Sequence, residues 1–296
     1  MKFNIEFLKY RYIAYFVSFL MFSVFLTVTI SKGGLNWGID FVGGVKLTAK
    51  FTQKVSTDEI IKTLSAKGVN ASVQQIGLDE KNEYIISTTL LTASQSSDES
   101  FQKVWEILTA KYTGIQELGV ETVGPSVGDY LKKSSGKLVL FAVLMMMIYL
   151  AFRFELKFSI GAMIALVHDI TLAVLFCGFL GIEINVPVLA AILFIFGYSV
   201  NDTIVIFDRI RETINAKNAH TFVDIINTSI NSTFSRTILT SFTTLLAVLA
   251  LYFIGGESIN DFAKILLFGI IVGTYSSVYM ASPVVNIYSK LIQKKH

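Results

Sequence analysis

Apolar and polar positions divide this chain sharply. Six stretches are apolar enough to cross a bilayer core, which takes about 20 mainly apolar residues in helical form. They are Tyr12–Ile30, Leu138–Phe152, Phe158–Leu180, Val186–Phe207, Thr237–Ile254 and Phe262–Ile287. The first follows a stretch rich in Lys, Arg and Tyr and lacks a small-x-small cleavage site, so it reads as a retained anchor.

Between the first two spans the pattern changes. "VKLTAKFT" (45–52) alternates as a half-buried strand does, and "TDEIIKTLSAKG" (57–68) has helical spacing ending in glycine. "ASVQQI" and "EYIISTT" read as two more strands, "DESFQKVWEILTAKY" as a second helix and "IQELGVETV" as a last strand. The order βαββαβ predicts a ferredoxin-like α+β unit. The predicted architecture is thus a six-helix membrane bundle with a small domain between helices 1 and 2. Its parts are 1–31 (terminus and first helix), 32–135 (the domain), 136–290 (five helices) and 291–296 (tail).

Charge gives that arrangement an orientation, because short cytoplasmic loops collect Lys and Arg. Lys2, Lys9 and Arg11 precede span one, and Arg153 and Lys157 follow span two. Arg209, Arg211 and Lys217 follow span four, and Lys290, Lys294 and Lys295 close the chain. The opposite loops, "GIEIN" and "GGESIND", carry acids only. Both termini are therefore expected in the cytoplasm and the domain outside. "TFVDIINTSI" (221–230) is expected as an amphipathic helix on the inner surface.

Composition narrows the chemistry. The chain is 53% hydrophobic and 16% charged, with mean hydropathy +0.60 and net charge +3. It has one cysteine, Cys177, and three scattered histidines at 168, 220 and 296, so neither a disulfide framework nor a metal spacing is present. With no phosphate-cradling glycine loop and no basic stripe, nucleotide hydrolysis and nucleic-acid binding are not expected. No metal, cofactor or catalytic nucleophile is expected either.

The residues that stand out are polar groups in lipid, where a charge costs at least about 2.5–3.5 kcal/mol. His168 and Asp169 fall near the middle of span three. Asn201 and Asp202 lie in span four, Asp202 about six residues, or roughly 9 Å, from its cytoplasmic end. Arg236 opens span five on that side and can reach inward. An Asp whose charge depends on the nearness of an Arg suits a proton-coupled machine. The alternative for Asp202 is a static bond to Thr203, Thr240 or Thr244. Asp208, Arg209 and Arg211 read as a solvated helix end. Gly269 and Gly273 form a GxxxG packing stripe. The domain's attachments, "KGGLNWGIDFVGG" and "LGVETVGPSVGDYL", are glycine-dense and read as hinges or as tight turns.

"NWGIDFVGG", "VGPSVG", "LVHD", "GYSVNDTIVIFDRIRE", "SRTILTS" and "GTYSS", in this order, closely resemble the SecD/SecF family of bacterial protein-export factors, on its SecF side. The resemblance covers the whole chain, and Phe196 is the one departure, where the family pattern has a smaller aliphatic residue. It implies an architecture like the resistance–nodulation–division (RND) transporters and a pairing with a SecD-like subunit. It further implies association with the SecYEG channel in the inner membrane, and use of the proton-motive force to draw preprotein outward. By motif position Asp202 and Arg236 match the family's proton pathway, with His168, Asp169 and Asn201 as further candidates. Trp37, Gly38, Asp40, Gly43, Gly44, Gly124, Pro125 and Gly128 match its motifs beside the exported domain. Rival readings are an RND-type efflux transporter, an intramembrane aspartyl protease using Asp169 and Asp202, and a passive scaffold.

Overall fold

The computed structural model describes residues 5–76, 82–89, 97–215 and 221–293. Lys2, Lys217, Lys294, Lys295, His220 and His296 lie outside the described residues.

Among the described residues, six helices are long and apolar enough to span a membrane. After a short 3₁₀ turn (Phe7–Tyr10), α1 runs Arg11–Ser31. The small domain comprises α2 (Ile39–Val42), β1 (Gly44–Lys50), α3 (Thr57–Ser65), β2 (Ala71–Ile76), β3 (Glu83–Thr89), α4 (Ser97–Lys111) and β4 (Gln116–Val123). The bundle continues as α5 (Pro125–Arg153), α6 (Leu156–Leu180), α7 (Val186–Asn215), α8 (Phe222–Ile254), α9 (Glu257–Ser276) and α10 (Ser282–Gln293). A π-helical turn, Ser277–Ala281, joins the last two, and Ser282 Oγ donates to Ser277 O at 3.1 Å beside it.

The domain's four strands stand in the order β2-β3-β1-β4, every pair antiparallel, which is the ferredoxin-like arrangement. Alternation explains why: Leu47, Ala49, Tyr84 and Ile86 face inward and meet Ile60 and Leu64 of α3 and Val104 and Leu108 of α4, all buried. Ser56 caps α3 by accepting from Glu59 N–H at 3.2 Å.

Two expectations need correction. α5 begins at Pro125, so "PSVG" of this motif is the first turn of the helix and not a linker before it. Gly124 precedes the helix and Pro125 occupies its first position, where a missing N–H costs nothing. The helix therefore runs unbroken through the expected boundary at 135. Residues 222–230, expected as a separate surface helix, are the opening turns of α8. Neither Gly nor Pro interrupts 222–254, and Thr221 caps the start by accepting from Asp224 N–H at 3.1 Å. At 1.5 Å per residue, 33 residues make about 50 Å, against a hydrocarbon core of about 30 Å, so α8 projects well beyond the lipid.

Burial is uneven. α6, α7 and α9 form the centre, whereas α1, α5 and α8 leave large apolar side chains exposed, among them Phe16, Phe141, Phe152, Leu239 and Phe242. Phe196 is accommodated in the cluster that also holds Phe7, Phe158 and Phe207.

Candidate functional site

Small residues on α9 let it approach α7 closely. A Cβ added at Gly269 would clash with the Ile195 side chain, and one at Gly273 would lie 3.1 Å from Ser199 Cβ. One turn beyond Gly273, Ser276 reaches α6: its Oγ donates to Asp169 Oδ2 at 2.6 Å. Ser199 of α7 donates to the same oxygen. The other oxygen, Oδ1, faces His168 Nδ1 at 2.8 Å, and Asp169 is 1% exposed. The GxxxG stripe is therefore what brings two hydroxyls onto a buried carboxylate.

The network extends to α1. His168 Nε2 lies 3.0 Å from Ser18 Oγ, which lies 3.0 Å from the Tyr275 hydroxyl, and that hydroxyl donates to Ala14 O at 2.5 Å. Donors can be assigned by elimination. A carbonyl only accepts, so Tyr275 spends its hydrogen on Ala14. Ser18 must then donate to Tyr275, and His168 Nε2–H must donate to Ser18. What remains is Nδ1 facing Oδ1, which is attractive only with a hydrogen between them. These contacts are all satisfied when the His168–Asp169 pair holds that hydrogen and is neutral as a unit. Ser199, Tyr275 and Ser276 fall within the motifs "GYSVNDT" and "GTYSS", but nothing in the sequence assigns them to a carboxylate, and Ser18 lies in no motif.

Asp202 stands three residues beyond Ser199 on α7 and is 3% exposed. Its Oδ2 has no hydrogen-bond partner among the described residues. The threonines proposed to hold it are turned elsewhere: Thr203 Oγ1 donates to Ser199 O, Thr240 to Arg236 O and Thr244 to Thr240 O. Arg236 is the cation whose field acts on Asp202, but it stands beyond ion-pair distance, exposed on α8. The two groups therefore interact at a distance and not as an ion pair. Asn201 is exposed beside it. Tyr198 OH donates to Ser241 Oγ (3.1 Å), itself 2.7 Å from Thr274 Oγ1, tying α7, α8 and α9 one turn away. At the helix end, Asp208 takes two bonds from Arg153 of α5 (2.9 and 2.8 Å), and Arg209 pairs with Glu212.

The glycine-rich motifs converge with one another. Gly43 has φ +81° and ψ 152°, a conformation open in practice only to glycine, and a Cβ there would meet Pro125 Cα at 3.0 Å. A Cβ at Gly128 would lie 2.8 Å from Gly43 N. Trp37 forms a parallel bridge with Ile184, and Asp40 Oδ2 accepts from Val186 N–H at 2.9 Å. A Cβ at Gly38 would lie 3.0 Å from Ile184 O. Glu183, in the same loop, has its pKa raised above the usual 4.5 by burial, against the lowering influence of Ser72 and the Ile39 backbone. The two attachments expected as hinges or turns are, in this structure, one packed junction.

Comparison with known proteins gives this arrangement a place. The model of the family described as "Protein export membrane protein SecD/SecF, C-terminal" matches residues 103–291, and that of the "SecD/SecF GG Motif" matches 29–55. The chain belongs to the SecD/SecF family. Among SecD/SecF relatives, the protein translocase subunit SecF of Desulfurispirillum indicum is 43% identical over 94% of this chain and 90% of its own. That of Thermodesulfovibrio yellowstonii is 40% identical over 98% and 96%. The crystal structure of SecDF from Thermus thermophilus, titled a translocon-associated membrane protein, superposes with a TM-score of 0.82 at 33% identity. It is covered over 98% of this chain and 39% of that one, so this chain spans about two-fifths of the SecDF polypeptide. SecDF in a super-membrane-facing form gives 0.73 at the same identity, covering 100% of this chain and 40% of that one.

Proposed function

We propose that this chain is the SecF-like half of a proton-driven export factor. It pairs with a SecD-like subunit in the cytoplasmic membrane, termini inside and small domain outside. There it uses the proton-motive force to help draw preprotein from a SecYEG-type channel late in export. The observation carrying this reading is Asp202: a membrane-buried carboxylate with an unpartnered oxygen and a cation held at a distance. A carboxylate so placed changes its proton occupancy as α7 and α8 approach or part. The exposed apolar faces of α1 and α5 favour a helical partner, and the length left uncovered in SecDF has room for one. The lower score against the super-membrane-facing form, at equal identity, favours an architecture able to rearrange.

One charge crossing 100 mV yields about 2.3 kcal/mol. Moving a two-state element from 1:99 to 99:1 takes about 5.5 kcal/mol, so more than one proton per full swing is expected at ordinary voltage. Protons are the only coupling species the reading requires, and no enzyme activity is part of it. A dyad protease is disfavoured because Asp169 engages His168, Ser199 and Ser276, not Asp202. A single small exported domain favours export over efflux. The test is Asp202→Asn in inverted vesicles containing the assembled partner. Proton-driven completion of export is expected to be lost with assembly intact, and undiminished export would refute the proposal.

A further inference from the structure

The GG-motif segment does more in this structure than lead into a domain. After α1 the chain stays at the outer end of the bundle, where Lys32 Nζ donates to Phe179 O at 2.8 Å. Ile184 N–H donates to Asn36 O (2.7 Å) and Gly38 N–H to Ile184 O (2.8 Å), a two-bond splice between the entry segment and the α6–α7 loop. Lys132 of α5 sits 4.3 Å over the Trp37 ring.

The four-residue α2 follows; it packs mainly on α5, touches β1 and β3 of its own domain, and turns one side chain into the bundle. Phe41 is 1% exposed and packs in the cluster of Ala173 and Cys177 from α6, Ile182 and Ile184 from the loop, and Val188 from α7. Asp40 takes the first N–H of α7, at Val186. That N–H is one of those a helix cannot satisfy internally, and a carboxylate there is favoured by the helix dipole as well. The same α7 has its own cap, Asn185 Oδ1 accepting from Val188 N–H at 2.9 Å, so Asp40 is a second, long-range tether. Behind α2, Gly43 and Gly128 let the backbones of the turn and α5 touch, and β1 begins at Gly44. Only three residues separate Asp40 from the central strand, and their backbone is fixed by close packing. Asp202 lies sixteen residues along the same α7, about 24 Å from Val186.

We infer that α2 is the joint through which the bundle moves the exported domain, with Asp40 and Phe41 as positioning residues that fix the domain to the outer end of the helix bearing Asp202. The inference rests on the proton-driven reading for what moves α7, but the joint itself is a matter of attachment. A displacement of α7 along or about its axis is carried by the Val186–Asp40 bond and the Phe41 socket into β1. The sheet follows as one body because β1 pairs with β3 and β4 on either side.

The test uses the full chain with its partner, in nanodiscs, spin-labelled at Lys62→Cys on α3 and Leu180→Cys at the outer end of α6, with the buried Cys177 left in place. The unmodified joint is expected to give one narrow distance peak. Asp40→Ala, and separately Val186→Pro, are expected to lose that single peak. Val186→Pro removes the N–H at the first helical position, where proline is well tolerated, and the valine side chain it replaces is exposed, so the core is left intact. Asp40→Asn, which keeps an acceptor oxygen, is expected to restore the peak. A narrow peak retained in both Asp40→Ala and Val186→Pro overturns the joint. Lowering the pH is expected to shift the peak in the parent and not in Val186→Pro, and an undiminished shift in Val186→Pro also overturns the joint. If Asp202→Asn exports normally, the proton-driven reading falls alone, since the peak width needs no proton.

Discussion

Replacing Gly269 with alanine is predicted to change sign according to what stands opposite. The added Cβ would be well inside contact with Ile195 Cδ1 and Cγ1 and 2.9 Å from Cγ2. Ile195 is fully buried, so its branched side chain has no free space to swing into. Overpacking of this kind costs about 1–3 kcal/mol, and two carbons in severe overlap put the site near 3. Alanine returns about 1 kcal/mol through helix propensity, leaving a net loss of about 2. In an Ile195→Ala background the three offending carbons are gone. That single change costs about 2–5 kcal/mol through its cavity, but adding Gly269→Ala to it should now gain about 1 kcal/mol. At about 2–4 °C per kcal/mol the melting temperature falls by about 4–8 °C in the first case and rises by about 2–4 °C in the second. Cys177 is the only cysteine and is buried, so a thiol-reactive dye that fluoresces on reaction reads unfolding directly in mild detergent. Equal losses in both backgrounds would show that Ile195 is not the obstacle, and the account of how Ser276 reaches Asp169 would fall with it.

Two further outcomes are expected. Glu183 has its proton affinity raised by burial, against the opposing influence of Ser72 and the Ile39 backbone. Folding therefore binds that proton, so the stability it lends is complete below its ordinary value of 4.5 and is lost as pH rises through the raised one. Glu183→Gln keeps the shape and the acceptor, so its melting temperature should exceed the parent's at about pH 8 and converge with it near pH 4.5; a constant difference across that range would refute the assignment. For His168, solid-state NMR of the ¹⁵N-labelled chain should find Nε2 protonated and Nδ1 in a strong hydrogen bond; a bare Nε2 would mean that the pair carries a net negative charge.

The spans and strands were legible because they rest on local pattern. "ASVQQI" and "EYIISTT" fold over the residues expected, since alternation names the buried face of each strand and a ferredoxin-like order leaves little choice of neighbour. The positions of Asp202 and Arg236 could be counted along their helices, but a count says nothing of azimuth, and Arg236 is exposed and makes no ion pair with Asp202. Ser18 and Asp169 are brought together from far along the chain through His168, and nothing local marks a serine as a ligand of a distant carboxylate. Asp40 was visible as a motif residue, yet its partner is the N–H of Val186, 146 positions later. Pro125 carried a usable signal, proline at a helix start, that the apolar run beginning at Leu138 obscured.

The π-helical turn at Ser277–Ala281 amounts to one surplus residue inside a helix that otherwise winds regularly. Removing any single residue there would let the winding close normally, and everything downstream would rotate by about 100°. Val285 and Asn286, now sealed in the interior, would turn toward the lipid, and the amide of Asn286 would meet hydrocarbon. The carboxyl-terminal third of the last span thus owes its facing to a counting irregularity, one that a shorter sequence with the same composition would not reproduce.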